Sequence, residues 1–391
     1  MSSADEPRRD AVTELRMPSL GADMERGTLV LWKVKPGDVV KRGDIVAEIE
    51  TEKGVFEMEA DGAGVVAELL VAPGTRTPVG APLARLSAPG SAGAAPAAAA
   101  APPARLRASP AARRLAQERG IDLASLVGTG PDHTIVLADV DRAAAAKQMP
   151  APVPASPPPP APPAPAAAPT SAQAMRQAVA AAVSRSKREI PHYYLSIDVD
   201  LAKAIAWLAE TNAKRSLADR IVPAALLVKS AAVALRSHPD LNGFWLDGAL
   251  HASDAINPGI AVSMRGGGLI TPAIHDADGL TLDALMRALS DLVKRARVGG
   301  LRSSEMTDAT ITISNLGDEG VSSLFGIIYP PQVALVGFGT ISERPWAEHA
   351  AISVRPVVTV TLAADHRATD GHYGSRFLRQ IARLLQSPEL L

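Results

Sequence analysis

Three stretches of this sequence carry side chains whose types and settings could do chemistry. His366 and Asp370 stand four residues apart in the run Asp365-His366-Arg367-Ala368-Thr369-Asp370-Gly371. A titratable ring near a carboxylate at a chain turn is the layout of an acid–base site, because imidazole changes protonation near neutral pH. Ser314 ends the alternation Thr310-Ile311-Thr312-Ile313-Ser314, which assigns the hydroxyls to a polar strand face and the isoleucines to the other. Lys53 lies in Ile49-Glu50-Thr51-Glu52-Lys53-Gly54-Val55, between the strand-like tracts 45–49 and 55–58, and projects from a hairpin tip. Each has a plainer reading: a histidine capping a turn, a structural hydroxyl at a strand end, a surface cation. The surroundings decide between them.

The elements that must hold these residues are legible in outline. Val357 to Leu362 reads as a strand, rich in β-branched residues, with Val358, Val360 and Leu362 sharing one face. After Gly371 the pattern turns helical, with Phe377, Leu378, Ile381, Leu384 and Leu385 forming a buried stripe. His366 therefore sits on a strand-to-helix turn, where the backbone can hold a side chain at the edge of a cleft. Around Lys53 the sequence repeats itself. Val34-Lys35-Pro36-Gly37, Gly43 and Ile49 recur thirty-seven positions later as Val71-Ala72-Pro73-Gly74, Gly80 and Leu86, and Gly27 maps onto Gly64 at the same offset. Two related half-sheets in a small β-sandwich are implied, with Lys53 at the midpoint between them.

Composition narrows the function classes. A chain of 391 residues implies about two or three domains, and a hydrophobic fraction of 47% is ample for real cores. Forty basic against 41 acidic residues leave a net charge of -1, so no bulk binding to nucleic acid or anionic membrane is expected. The absence of cysteine excludes disulfides, a cysteine nucleophile and thiolate metal sites, so any sulfur chemistry must come from ligands. No apolar run reaches the roughly 18 to 20 residues of a membrane span, and Met1 to Pro7 carries acidic residues where a targeting peptide would be basic. A cytoplasmic enzyme is expected.

Two Ala/Pro tracts, 88–104 and 143–170, cannot bury enough surface to offset the entropy of ordering and read as linkers. Extended at ~3.1 Å per residue, they reach about 50 Å and about 85 Å. They separate segments 12–87, 105–142 and 171–391. In the middle segment Ser109-Pro110 opens a helix as N-cap and first-turn proline, Gly120 closes it, and a second short helix covers Ala138 to Lys147. In the last, Leu282 to Ala296 is an amphipathic helix capped by Thr281. Gly266-Gly267-Gly268 lacks the spacing of a dinucleotide fingerprint and reads as a hairpin turn.

The run from Asp365 to Gly371 resembles the Asp-His-Arg-x-x-Asp-Gly signature of the dihydrolipoamide acyltransferases, the E2 components of 2-oxo acid dehydrogenase complexes, with every fixed position filled. Thr312-Ile313-Ser314-Asn315-Leu316-Gly317 is similar to a second segment of that family, and Ile190-Pro191-His192-Tyr193-Tyr194-Leu195, His238 to Asn242, Ile260 to Ser263 and Gly268 to Pro272 also look like family sequence. The segment around Lys53 resembles a lipoyl domain, whose modified lysine occupies a Glu-Thr-Asp-Lys-Ala type turn. Glu52 and Gly54 depart mildly from it. Biotinyl carrier domains share that fold but usually frame the lysine with methionines, which neither neighbour matches. Residues 105–142 look like a peripheral subunit-binding domain, with Asp132-His133-Thr134-Ile135 where the family has Gly-Gly-Arg-Ile. Arg113, Arg114 and Arg119 are left to supply a basic face, unless they form only a solvated helix surface.

The resemblance implies a multidomain α+β chain: a β-sandwich lipoyl domain, a small helical subunit-binding domain and a chloramphenicol acetyltransferase-like α/β catalytic domain. It implies lipoate on Lys53, coenzyme A as substrate, His366 as general base, Asp370 fixing local geometry directly or through an arginine, and Ser314 stabilising an oxyanion. A thiol of pKa about 8.5 is mostly protonated at neutral pH, and a base near 6.5 is well matched to it. The implied partners are an E1 2-oxo acid decarboxylase and an E3 dihydrolipoamide dehydrogenase, around a homotrimer or a larger cage whose active sites lie between chains. Acetyl transfer within a pyruvate or acetoin dehydrogenase complex is the first expectation and branched-chain acyl transfer the second. A non-catalytic relative would keep the two N-terminal modules and lose the base, and a biotin carrier would bind streptavidin.

Overall fold

The structure is a computed structural model that describes residues 13–20, 24–51, 54–87, 109–119, 129, 134–141, 171–264, 268–348 and 350–391. Lys53 and Glu52, both Ala/Pro tracts, Gly120, Gly128, residues 130–133, Gly266 and Gly267 lie outside the described residues, as does the side chain of Arg119. The chain divides into two compact units, residues 1–92 with 169–391, and residues 93–168.

The sequence repeat of the first unit becomes two sheets. The strands are β1 (Thr13–Arg16), β2 (Arg26–Trp32), β3 (Val39–Val40), β4 (Ile45–Thr51), β5 (Gly54–Glu59), β6 (Gly64–Leu69), β7 (Arg76–Pro78) and β8 (Pro82–Ser87). One sheet has the order β1-β8-β6-β3, and in the other β5, β4, β2 and β7 are neighbours. Leu15, Leu29, Val46, Ile49, Met58, Leu83 and Leu86 form the core. The repeated glycines have a backbone reason: Gly37 and Gly74 turn at φ 98° and 83°, and Gly43 and Gly80 at φ 88° and 81°. That left-handed region is open to glycine at little cost. Thr51 pairs with Gly54 across the β4–β5 hairpin, and the Thr51 hydroxyl donates to the Gly54 carbonyl at 3.2 Å.

The C-terminal part of the same unit carries β9 (His192–Asp200), β10 (Gly243–Leu246), β11 (Ala249–Ala252), β12 (Pro258–Ile260), β13 (Val262–Ser263), β14 (Leu269–Ile270), β15 (Leu301–Arg302), β16 (Ile311–Asn315), β17 (Ala334–Phe338), β18 (Ser342–Glu348) and β19 (Ala351–Asp365). Six of these make one sheet in the order β12-β16-β17-β19-β18, with β9 also paired to β19. β19 starts earlier than the strand read from Val357, because its first half pairs with β18 while its second pairs with β17 and β9. The helix Gly371–Leu385 buries Phe377, Leu378, Ile381 and Leu385, the expected stripe, and packs on the helix Pro223–Leu235. The helix Leu282–Val298 begins at Thr281, whose hydroxyl accepts from the Ala284 N–H at 3.2 Å, and runs one half-turn past Ala296 to Gly299 at φ 91°. β13 and β14 form the hairpin expected around Gly268.

The polar strand face expected for Thr310, Thr312 and Ser314 is not a solvent face. β16 is an inner strand between β12 and β17, and Asn242 and Gln332 reach its hydroxyls, leaving Thr310 3% and Thr312 0% exposed. Alternation could not show this, because each hydroxyl is satisfied internally: Thr310 donates to Asn242 Oδ1 at 2.6 Å and Thr312 to Gln332 Oε1 at 2.7 Å.

In the second unit Ser109 caps the helix Pro110–Arg119, its Oγ accepting from the Ala112 N–H at 3.2 Å. Ala112, Ala116, Ile135 and Val140 form a small core. A helical turn over 137–141 stands where the second helix was expected, and the remainder to Lys147 lies outside the described residues. Asp139 is buried and accepts from the Thr129 N–H, the Thr129 hydroxyl and the Val136 N–H, at 3.0, 2.7 and 3.1 Å. Among the described residues no helix is long and apolar enough to cross a membrane.

Candidate active site

His366 follows directly on the end of β19. Its N–H donates to the Pro191 carbonyl at 3.0 Å, and the Tyr193 ring meets its imidazole edge-on at 5.2 Å between centroids. Tyr193 is fixed in turn, its hydroxyl 2.8 Å from Thr369 Oγ1, and burial raises its pKa. A Cβ at Gly374 would stand 2.8 Å from the Tyr193 oxygen, so the missing side chain lets the helix Gly371–Leu385 approach this ring. The imidazole itself is exposed. A supported but open base is what proton abstraction from an incoming thiol needs.

The turn carrying His366 is locked by the residues on either side of it. Asp365, fully buried, accepts from the Arg367 N–H at 2.9 Å and from the guanidinium at 2.6 Å through Nη2. Arg367 also lies 4.7 Å above the Trp245 ring, and its bond to Asp365 raises its pKa. The Ala368 and Thr369 N–H groups donate to the Asp365 carbonyl. Of the two arrangements expected for Asp370, direct or through an arginine, the direct one is seen. It is the N-cap of the helix Gly371–Leu385, its Oδ1 accepting from the Tyr373 N–H at 2.8 Å. The arginine–carboxylate pair that orders this turn belongs to Asp365, because a side chain at the strand end points into the body while Asp370 faces outward.

Ser314 stands at the C-terminal end of β16, partly buried, in the wall of a 340 Å³ cavity with Phe325, Ile327, Ile328 and Leu335. The chain opposite is held from three sides. Ser186 Oγ donates to the Ile328 carbonyl at 2.6 Å, Thr361 Oγ1 donates to the Leu324 carbonyl, and the Ile328 N–H donates to His192 Nε2 at 3.2 Å. His192 Nδ1 bonds the Ile190 carbonyl at 2.8 Å, so the neutral ring with its proton on Nδ1 satisfies both contacts. Burial lowers the His192 pKa accordingly.

Within one chain His366 and Ser314 are not brought together. Ser314 pairs with Gly337 and Gly337 with Thr361, so His366 lies five residues further along β19 and two strands away. At about 3.3 Å per residue and about 4.8 Å per strand, that is roughly 17 Å along the sheet and roughly 10 Å across it. The ion pair of Asp365, the ring of Tyr193 and the acceptor His192 were not identified from sequence. Tyr193 and His192 lay in a segment singled out for its resemblance, but their partners come from chain more than a hundred residues away.

Three family descriptions match this chain: "2-oxoacid dehydrogenases acyltransferase (catalytic domain)" over residues 166–391, "e3 binding domain" over 106–141 and "Biotin-requiring enzyme" over 13–86. The dihydrolipoyllysine-residue acetyltransferase component of the pyruvate dehydrogenase complex of Rhizobium meliloti (strain 1021) is 34% identical, over 96% of this chain and 98% of that protein. The lipoamide acyltransferase component of the branched-chain alpha-keto acid dehydrogenase complex of Bacillus subtilis (strain 168) is 32% identical, over 96% and 98%. Among solved structures, the Azotobacter vinelandii dihydrolipoamide acetyltransferase (E2p) matches with a TM-score of 0.53 and 27% identity, covering 56% of this chain and 90% of that one. Its structure was determined to examine the role of a serine, a histidine and an asparagine in its catalytic mechanism. With a catalytic-domain description that spans more than half of its length and relatives above 30% identity over nearly all of it, this chain belongs to the 2-oxoacid dehydrogenase acyltransferases.

Proposed function

We propose that the protein transfers an acyl group, acetyl first, from a lipoyl group on Lys53 to coenzyme A as the core of a 2-oxo acid dehydrogenase complex. The observation that carries the reading is one of spacing. The serine and histidine examined in the Azotobacter enzyme are separated by the same interval as Ser314 and His366, and its asparagine follows that histidine as Asp370 follows His366.

The chain's own residues divide the work. Thr51 and Gly54 close the hairpin that would present Lys53, and the lipoyl group supplies the acyl thioester. His366 takes the proton from the coenzyme A thiol, with Tyr193 and the Asp365–Arg367 pair fixing the ring's position. Ser314 donates a hydrogen bond to the carbonyl oxygen as negative charge develops on it. Asp370 acts by starting the helix behind the turn, a role an asparagine fills equally well. Because one chain separates His366 from Ser314, the working site takes His366 from one chain and Ser314 from its neighbour in a homotrimer, and trimers are the units from which a larger cage would be built. Residues 105–142 hold the E1 decarboxylase and the E3 dihydrolipoamide dehydrogenase, and the division into segments 12–87, 105–142 and 171–391 with linkers 88–104 and 143–170 is part of the same reading. The cytoplasm, where coenzyme A is pooled, is the proposed compartment, and cell fractionation tests it.

Branched-chain transfer is the second reading, favoured by the Bacillus subtilis relative at nearly the same identity as the acetyltransferase. Purified protein assayed with acetyl-, isobutyryl- and succinyl-dihydrolipoamide separates the two. The acetyl substrate should have the highest kcat/KM, and a preference for isobutyryl would reverse the order. No transfer from any of the three would remove the function.

A further inference from the structure

The open edge of the N-terminal sheet is not left bare. β5 would be an edge strand of the order β5-β4-β2-β7, but β15 lies against it in parallel, Leu301 opposite Phe56 and Arg302 opposite Glu57. Polar contacts extend the pairing: the Glu59 N–H donates to Ser303 Oγ at 3.1 Å, and Glu59 Oε2 accepts from the Ser304 N–H at 3.1 Å. The apolar contacts agree. Phe56 and Leu20, 3% and 2% exposed, are buried in the core cluster of the C-terminal body and not in the core of their own sandwich. Leaving that body would expose a phenylalanine three positions after Lys53.

The receiving strip is also braced from within the C-terminal body. Gly299 and Gly300 take φ 91° and 93°, and Arg295 spans the loop, donating to the Gly300 carbonyl at 3.2 Å and to both carboxylate oxygens of Glu305. Glu305 Oε2 in turn accepts from the Arg302 N–H at 2.8 Å. The sandwich seated on the strip borders the chemistry. Leu20 lines a 260 Å³ cavity whose other walls include Leu269, Tyr329 and Pro330, and the same three residues line the Ser314 cavity.

We propose that residues 299–304 are a docking strip for the lipoyl-bearing sandwich of the same chain, which binds by strand addition along β5 with Phe56 as its apolar anchor. Strand addition gives a firm but reversible contact, since backbone pairing sets the register and few side chains fix its strength. Docked there, the sandwich stands beside the Ser314 cavity, and the effective concentration of its acyl group at that site rises. That consequence rests on the proposed function; the dock itself does not.

The absence of cysteine from the chain gives a direct test. Glu57→Cys combined with Arg302→Cys, in the full-length protein under mild oxidation, should cross-link within single chains at least about tenfold faster than a control pair, Arg85→Cys with Arg302→Cys, because Arg85 lies on the other sheet. Equal rates, or cross-links only between chains, would overturn the dock whether or not the enzyme transfers acyl groups. The functional arm uses Phe56→Ser, checked for unchanged lipoylation as a sign that the sandwich is folded. Transfer from the attached lipoyl group should fall about tenfold while transfer from small-molecule acetyl-dihydrolipoamide is unchanged. An unchanged rate from the attached group would refute the role of the strip in delivery.

Discussion

At the scale of single residues, the site depends on how well a few polar groups are held. Ser314 stands on a buried strand, and the cavity wall opposite it is fixed by Ser186, Thr361 and His192, so the space its hydroxyl faces has its shape before substrate arrives. Ser314→Ala should cut kcat by roughly one to three decades with little change in stability, the range for loss of one oxyanion donor. Steady-state kinetics on the purified variant read this, and an unchanged kcat would remove the serine from the reaction. His192 gives a pH dependence. Its Nε2 accepts from the Ile328 N–H, so a proton added there replaces an acceptor with a donor facing a donor. Burial lowers its pKa below the ordinary imidazole value of about 6.5, so its contribution to stability is fully present above that pH and is lost as pH falls through the lowered value. Urea midpoints at about pH 7.5 and about pH 5.5 should differ more for the wild type than for His192→Asn, which carries no titrating ring. Equal differences would mean that the ring is not the group responsible.

At the scale of elements, the caps and turns were more legible than the pairings. Thr281, Ser109 and the stripe of the helix Gly371–Leu385 were plain in the sequence because each depends on residues within one or two turns of chain. The matched glycines of the N-terminal repeat were plain for the same reason: a left-handed turn favours glycine, and the same turn recurs in both halves. What alternation could not reveal was that β16 is covered on both sides, since whether Thr310 and Thr312 face water depends on Asn242 and Gln332 reaching them. Nor could spacing show that Asp365, and not Asp370, takes the arginine. Both are acidic residues at an element boundary, and only the direction of β19 at its end separates them. Asp370→Ala should therefore cost about 1 kcal/mol as a lost N-cap, while Asp370→Asn should be near neutral. Thermal melts of the two variants decide this; equal losses would mean that charge, and not capping, is what the position supplies.

At the scale of the whole molecule, the lipoyl-type sandwich and the acyltransferase body are legible separately, each from motifs that fall within its own stretch of sequence. Their contact is not, because β15 is only two residues long and pairs with a strand more than two hundred residues earlier. The same limit applies to the site itself. Sequence identified His366 and Ser314 but not the sheet geometry that holds them roughly 17 Å apart along the strands of one chain. Two residues so separated serve one thioester only if neighbouring chains each supply one, and this can be tested directly. Co-expressed His366→Asn and Ser314→Ala chains, purified as mixed oligomers by two different affinity tags, should recover about a third of wild-type transfer activity, because one of the three interfaces in every mixed cyclic trimer pairs an intact histidine with an intact serine. Mixed oligomers no more active than the average of the two separate variants would contradict a site shared between chains.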